Sequence, residues 1–157
     1  MEFWTCDFDP AIADNARTLT PNVICAKGEE WLTKSPPQKP VAFAYLDNFD
    51  WIFPKNVSKP WRLQTGRYLE IDGTVMNNVN SQATHFAQAN ALLPLFAPHA
   101  FVLFDDTWRY DTGEYDGKGG TAVPFLLANG FSIISEKVTP EIGTRDIFDG
   151  WVLLRRG

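Results

Sequence analysis

The chain reads as an α/β layer fold with a mainly parallel sheet, and three observations predict it. Short β-prone runs alternate with helical stretches over the whole length. Two of the runs, Val41–Leu46 and Phe101–Phe104, are apolar almost without alternation, the pattern of strands buried on both faces. Three strands stop at acids: Asp7, Asp47 and the pair Asp105–Asp106. In such sheets ligands bind beyond the carboxyl ends of the strands, so the acids mark one end of the fold as its working end.

Each element has its own signal. Phe3–Cys6 is a short strand closed by Asp7-Phe8-Asp9-Pro10, in which Asp9 reads as a helix N-cap and Pro10 as the first helical residue, where its missing N–H costs nothing. Ile12, Ala16 and Leu19 carry that helix to Pro21. Val23–Ala26 is a second strand, broken at Gly28 and followed by Glu29-Glu30-Trp31-Leu32. A proline-rich connection, Ser35–Pro40, leads to the strand Val41–Leu46. From Phe53 to about Asn80 the pattern loosens into an insertion, with a small hairpin expected around Ile71-Asp72-Gly73-Thr74. A helix N-capped by Ser81 then presents Phe86, Leu92 and Leu93 on one side before Pro94 and Pro98 end it. Beyond Phe101–Phe104 comes a polar, glycine-rich loop from Tyr110 to Gly120, then a helix from Thr121 to Asn129 with Gly130 as its C-terminal cap. Phe131–Ile134 and Trp151–Leu154 are the last two strands. No repeat or linker divides the chain, which is expected to form one domain.

Composition narrows the function. Nineteen acidic against fourteen basic residues give a net charge of −5, and no run of Lys or Arg could neutralise a row of phosphates, so nucleic acid is not the expected partner. No apolar stretch has the length of a membrane span, and no signal-peptide pattern opens the chain; a cytoplasmic protein is expected. Cys6 and Cys25 lack metal-ligand spacing and read as buried free thiols. Aromatic residues reach 14%, enough for rings to line a pocket as well as the core.

The motifs in order resemble a family. Phe3–Pro10 resembles the second strand of a class I, S-adenosylmethionine-dependent methyltransferase, and Val23–Glu29 is similar to that family's third strand and its Gly-acid turn. Ala44-Tyr45-Leu46-Asp47 looks like the fourth-strand motif. Ala91–Asp106 resembles the helix, turn and fifth strand of the small-molecule O-methyltransferase branch, with His99-Ala100 where a glycine pair is usual. Lys118-Gly119-Gly120-Thr121 and Asn129-Gly130-Phe131 fit the same branch. The family's first strand and Gly-x-Gly loop have no counterpart in the chain, so the resemblance implies a Rossmann-like domain incomplete at its N-terminus: a fragment or truncated frame is the favoured expectation, a rearranged or exchanged strand filling the gap the alternative. With the first strand absent, a homodimer covering the orphan strand edges is expected.

The resemblance also implies roles. Asp7 would hold the ribose hydroxyls of S-adenosylmethionine, Phe8 would flank the adenine, and Glu29 would approach its amine, with Glu30 as a competitor. Asp47 would serve both cofactor and catalysis. If the strands ending at Asp47 and Asp105 pair in parallel, Asp47, Asp105 and Asp106 form the carboxylate set that holds magnesium in metal-dependent members, and the ion would acidify a small-molecule hydroxyl. His85 is the candidate general base, since its ordinary pKa lies near neutrality. Trp51, Trp61, Tyr68 and Trp108 are candidates for an apolar lid. Two other classes remain open on sequence: a catalytically dead remnant kept as a binding or oligomerisation module, and another nucleotide-binding α/β enzyme, for which Lys118–Thr121 has the wrong spacing to be a P-loop.

Overall fold

A computed structural model describes residues 2–48, 51–52, 59–139 and 150–157, with side chains left out over 59–64. The chain divides into two compact units, Met1–Gln38 and Lys39–Gly157.

The first unit is a strand-helix-strand-helix. β1 (Thr5–Asp7) pairs in parallel with β2 (Val23–Cys25), Asp7 opposite Cys25. α1 (Pro10–Ala16) connects them and starts as its sequence dictates: the Asp9 carboxylate accepts from the Ala11 amide at 2.8 Å and Pro10 takes the first position. Ala13 turns its methyl inward and is fully buried. α2 (Gly28–Lys34) follows β2, with Glu29 and Glu30 in its first turn, where the positive end of the helix dipole favours them. The two thiols are free, but Cys25 is exposed and Cys6 half-buried, contrary to the expected burial of both. Strands of three residues leave too little sheet to cover a side chain on its outer face.

The second unit is built on a four-stranded sheet ordered β3-β4-β9-β7. β3 (Val41–Leu46) and β4 (Phe96–Asp105) run parallel, whereas β9 (Trp151–Arg156) is antiparallel to both β4 and β7 (Phe131–Glu136). The sheet is therefore mixed rather than mainly parallel. The reason lies in the β7–β9 connection: parallel neighbours need a crossover, usually a helix, and the residues between these two strands carry no helical pattern. A smaller sheet, ordered β6-β5-β8, extends from the end of β4: β5 (Thr107–Tyr110), β6 (Tyr115–Gly117) and β8 (Val138–Thr139). The stretch expected to be a polar loop is thus a β5–β6 hairpin turning at Gly113, whose φ of 97° only glycine adopts freely.

Among the described residues, three α-helices complete the unit. α3 (Lys59–Asp72) occupies half of the expected insertion, and the hairpin foreseen at residues 71–74 is its C-terminal end, with Gly73 at φ 74° closing the helix and Asp72 accepting from the Thr74 amide. Residues 53–58 of that insertion lie outside the described residues. α4 (Asn78–Leu92) starts earlier than expected because Asn77, not Ser81, supplies the cap, accepting from the Asn80 amide at 2.7 Å. α5 (Ala122–Ala128) packs with α4 and β7. Ala44, Leu46, Val102, Phe104, Val152 and Leu154 form the core face of the sheet. On the opposite face Phe43 and Tyr45 are half-exposed and Phe101 is 37% exposed, so β3 and β4 are not buried on both sides as their apolar runs suggest. Among the described residues, no helix is long and apolar enough to cross a membrane.

Candidate functional site

The parallel register Leu46↔Phe104 brings Asp47 and Asp105 to the same level at the carboxyl ends of β3 and β4, with Asp106 next in the chain. Asp106 has a φ of 43°, a left-handed conformation that costs a non-glycine residue roughly 1–2 kcal/mol. It is held there by Gly117 and Lys118. The Lys118 amide donates to the Asp106 carbonyl at 2.9 Å, and a Cβ on Gly117, itself at φ 82°, would lie 1.9 Å from that carbonyl oxygen. Gly119 donates to the Thr107 hydroxyl at 2.8 Å, and that hydroxyl donates to the Asp105 carbonyl. The Gly-Lys-Gly-Gly segment is glycine-rich because it lies directly against the turn that ends β4.

Lys118 stood out in the sequence only as part of a glycine-rich motif, and its place among the carboxylates was not foreseen. Its side chain is 2% exposed, and its ammonium lies 2.5 Å from Asp47 Oδ1 and 3.0 Å from Asp106 Oδ2. Burial alone would pull its pKa down, but the two carboxylates outweigh that and hold it above the ordinary value, so the side chain stays charged. Asp106 is displaced upward, because burial outweighs the help of the shared ammonium. The signal available in the sequence was a lone lysine among glycines next to a helix start, where no solvent-facing role was evident. Tyr45 adds a second bridge: its hydroxyl reaches Asp47 Oδ2 at 3.2 Å and Asp105 Oδ2 at 3.1 Å. Burial of the hydroxyl and the two carboxylates raise its pKa, so it remains a proton donor.

His85 lies in the same unit but not in a base's position. It is fully buried, with Nδ1 2.7 Å from the Ser81 carbonyl and Nε2 accepting from the Asn48 amide at 3.2 Å. Burial pushes its pKa down to about 4, and a neutral ring with a proton on Nδ1 satisfies both contacts. The lone pair a general base would use is thus committed to the backbone directly after Asp47. Asn78 does the same further along, exchanging two hydrogen bonds with the backbone of Ile52. α4 therefore anchors the backbone at Asn48 and at Ile52. Of the proposed lid residues, Trp108 and Tyr68 are buried, and Trp51 meets Trp108 edge-on at 6.0 Å; the Trp61 side chain lies outside the described residues.

In the first unit Asp7 is half-buried, and one of its oxygens accepts from the Asp9 amide at 2.8 Å. That is a turn role, which leaves its other oxygen for a ligand. Burial raises the Asp7 pKa. Phe8 and Glu29 are also half-buried. Glu30 points outward and pairs with Lys34 at 2.7 Å, so of the two acids Glu29 is the one turned toward the body of the unit.

The oxygen donors of Asp47, Asp105 and Asp106 suit magnesium in type. Their arrangement does not fit it: the buried ammonium already holds Asp47 and Asp106, and a dication drawn to the same oxygens would meet repulsion on the order of several kcal/mol. Among the described residues, no group of three or more His, Cys, Asp or Glu side chains is placed to hold a metal. No protein-family model matches the chain, and none of the curated proteins matches it significantly.

Proposed function

We propose that the chain transfers a methyl group from S-adenosylmethionine to a small-molecule hydroxyl, with Asp47 taking the hydroxyl proton. The observation that carries this is the register of β3 and β4, which sets Asp47 beside Asp105 at the adjacent carboxyl ends of paired parallel strands. Bound S-adenosylmethionine supplies a methyl carbon made electrophilic by a sulfonium. Asp47 is 40% exposed and so can meet an acceptor, while Lys118 fixes one of its oxygens from behind. With that donor in place, Asp47 would accept the proton that the acceptor hydroxyl loses on methylation. Tyr45, kept protonated, donates to the carboxylates and orients them. His85 holds the Asp47 segment in place and is a positioning residue in this scheme. Asp7, Phe8 and Glu29 are assigned to the ribose and adenine within the first unit. The scheme routes no step through magnesium, since Lys118 holds the donors the ion would need.

An assay with a tritiated methyl donor and a panel of small hydroxyl compounds tests this. The wild type should label an acceptor, and Asp47→Asn should lower kcat by about 100-fold or more, the usual worth of a general base, with KM for the donor little changed. Equal labelling by both proteins would rule Asp47 out as the base.

One observation favours a second reading, a remnant that survives as an oligomerisation module. β3 is an edge strand of its sheet, and it and its neighbour present Phe43, Tyr45 and Phe101 on an exposed face. Light scattering would find a concentration-dependent dimer if that face pairs with a second copy.

A further inference from the structure

We infer that Lys118 is the resident cation of the strand-end cluster: its ammonium takes the position a divalent ion would hold and organises Asp47 and Asp106 without a metal. The use made of it in methyl transfer rests on the function proposed above; the assignment itself rests on geometry alone.

Three features carry it. First, the ammonium is delivered by backbone packed closely against the turn that ends β4. The Lys118 amide is bonded to Asp106, Gly119 is bonded to Thr107, and neither Gly117 nor Gly119 has room for a Cβ, which would come within 1.9 Å of the Asp106 carbonyl and 2.8 Å of the Thr107 side chain. Gln82 packs against Gly120, and its amide donates to the Gly117 carbonyl at 3.1 Å. Second, the side chain is 2% exposed, so the charge is not a surface lysine that happens to lie near acids. A buried ammonium is tolerated only when paired and hydrogen-bonded, and the two carboxylates meet that condition. Third, four of the six carboxylate oxygens an ion would draw on already have a partner. Asp47 has one on Lys118 and one facing Tyr45, Asp106 has one on Lys118, and Asp105 has one facing Tyr45. The charge that would otherwise call for a metal is met from within the chain. Lys118 is thus a positioning residue, acting on an acceptor only through Asp47.

The assignment predicts a gain of function. Wild type, Lys118→Met and Lys118→Arg would be titrated with Mn²⁺ and free ion followed by electron paramagnetic resonance, with folding checked by circular dichroism. Wild type and Lys118→Arg should show no saturable binding below about 1 mM, the weak end of carboxylate sites. Lys118→Met, which frees the carboxylates, should bind at least about tenfold more tightly. Saturable submillimolar binding by the wild type would overturn the inference, and so would a folded Lys118→Met with unchanged affinity. If Lys118→Met does not fold, the wild-type and Lys118→Arg titrations still decide, since a resident metal site must appear in the former. A parallel titration with S-adenosylmethionine in chelator separates the two proposals. Failure to bind the donor counts against methyl transfer, and only the Mn²⁺ result bears on Lys118.

Discussion

At the scale of single residues, the chain places its strain and its buried charge together. Asp106 in a left-handed conformation, Gly117 beneath it and Lys118 between two carboxylates form one unit, and each has a measurable consequence. Gly117→Ala would add a Cβ at 1.9 Å from a backbone oxygen while keeping a φ of 82°, and it should cost more than about 3 kcal/mol in urea denaturation, beyond the usual range for a single substitution. Lys118→Met should cost about 2–4 kcal/mol, somewhat less than a fully buried pair because Asp47 keeps 40% exposure. His85 gives a pH dependence. Its pKa near 4 in the folded chain lies below the value near 6.5 expected when unfolded, so the unfolded chain binds the proton first. Its contribution is whole above about pH 6.5 and falls as the pH drops toward 4, by on the order of 2–3 kcal/mol at 1.36 kcal/mol per unit. Denaturation midpoints at pH 7 and pH 5 should differ, and the difference should shrink in His85→Gln.

At the scale of elements, what was legible in the sequence follows from how local its cause is. The strand-turn-helix at the start of the chain was legible because Asp9 and Pro10 act on their own neighbours; Asp9→Ala should cost about 1 kcal/mol, measurable as lost protection of α1 amides in hydrogen exchange. β3, β4 and the helices α4 and α5 were legible from apolar runs and spacing. The direction of β9 was not, since strand polarity depends on the connection rather than on the strand's composition. Nor was α3, whose run of mixed polar and aromatic residues has no clear apolar stripe, so that Gly73 looked like a turn residue when it closes a helix. The acids at the ends of β3 and β4 were found because strands that stop at carboxylates stand out. Lys118 was not, because it lies 71 positions from Asp47 and only tertiary packing brings them together.

At the scale of the whole molecule, the central proposal is that the chain binds S-adenosylmethionine through the acid that ends β1. The measurement that tests it most directly is a calorimetric titration of the chain with S-adenosylmethionine in the presence of chelator, repeated with Asp7→Ala. The account predicts saturable binding that needs no added metal and weakens at least about tenfold in Asp7→Ala, the loss expected when a charged hydrogen bond of about 1.5–3 kcal/mol is removed. A folded wild-type chain that gives no binding heat at any donor concentration, or one whose affinity is untouched by Asp7→Ala, would contradict it.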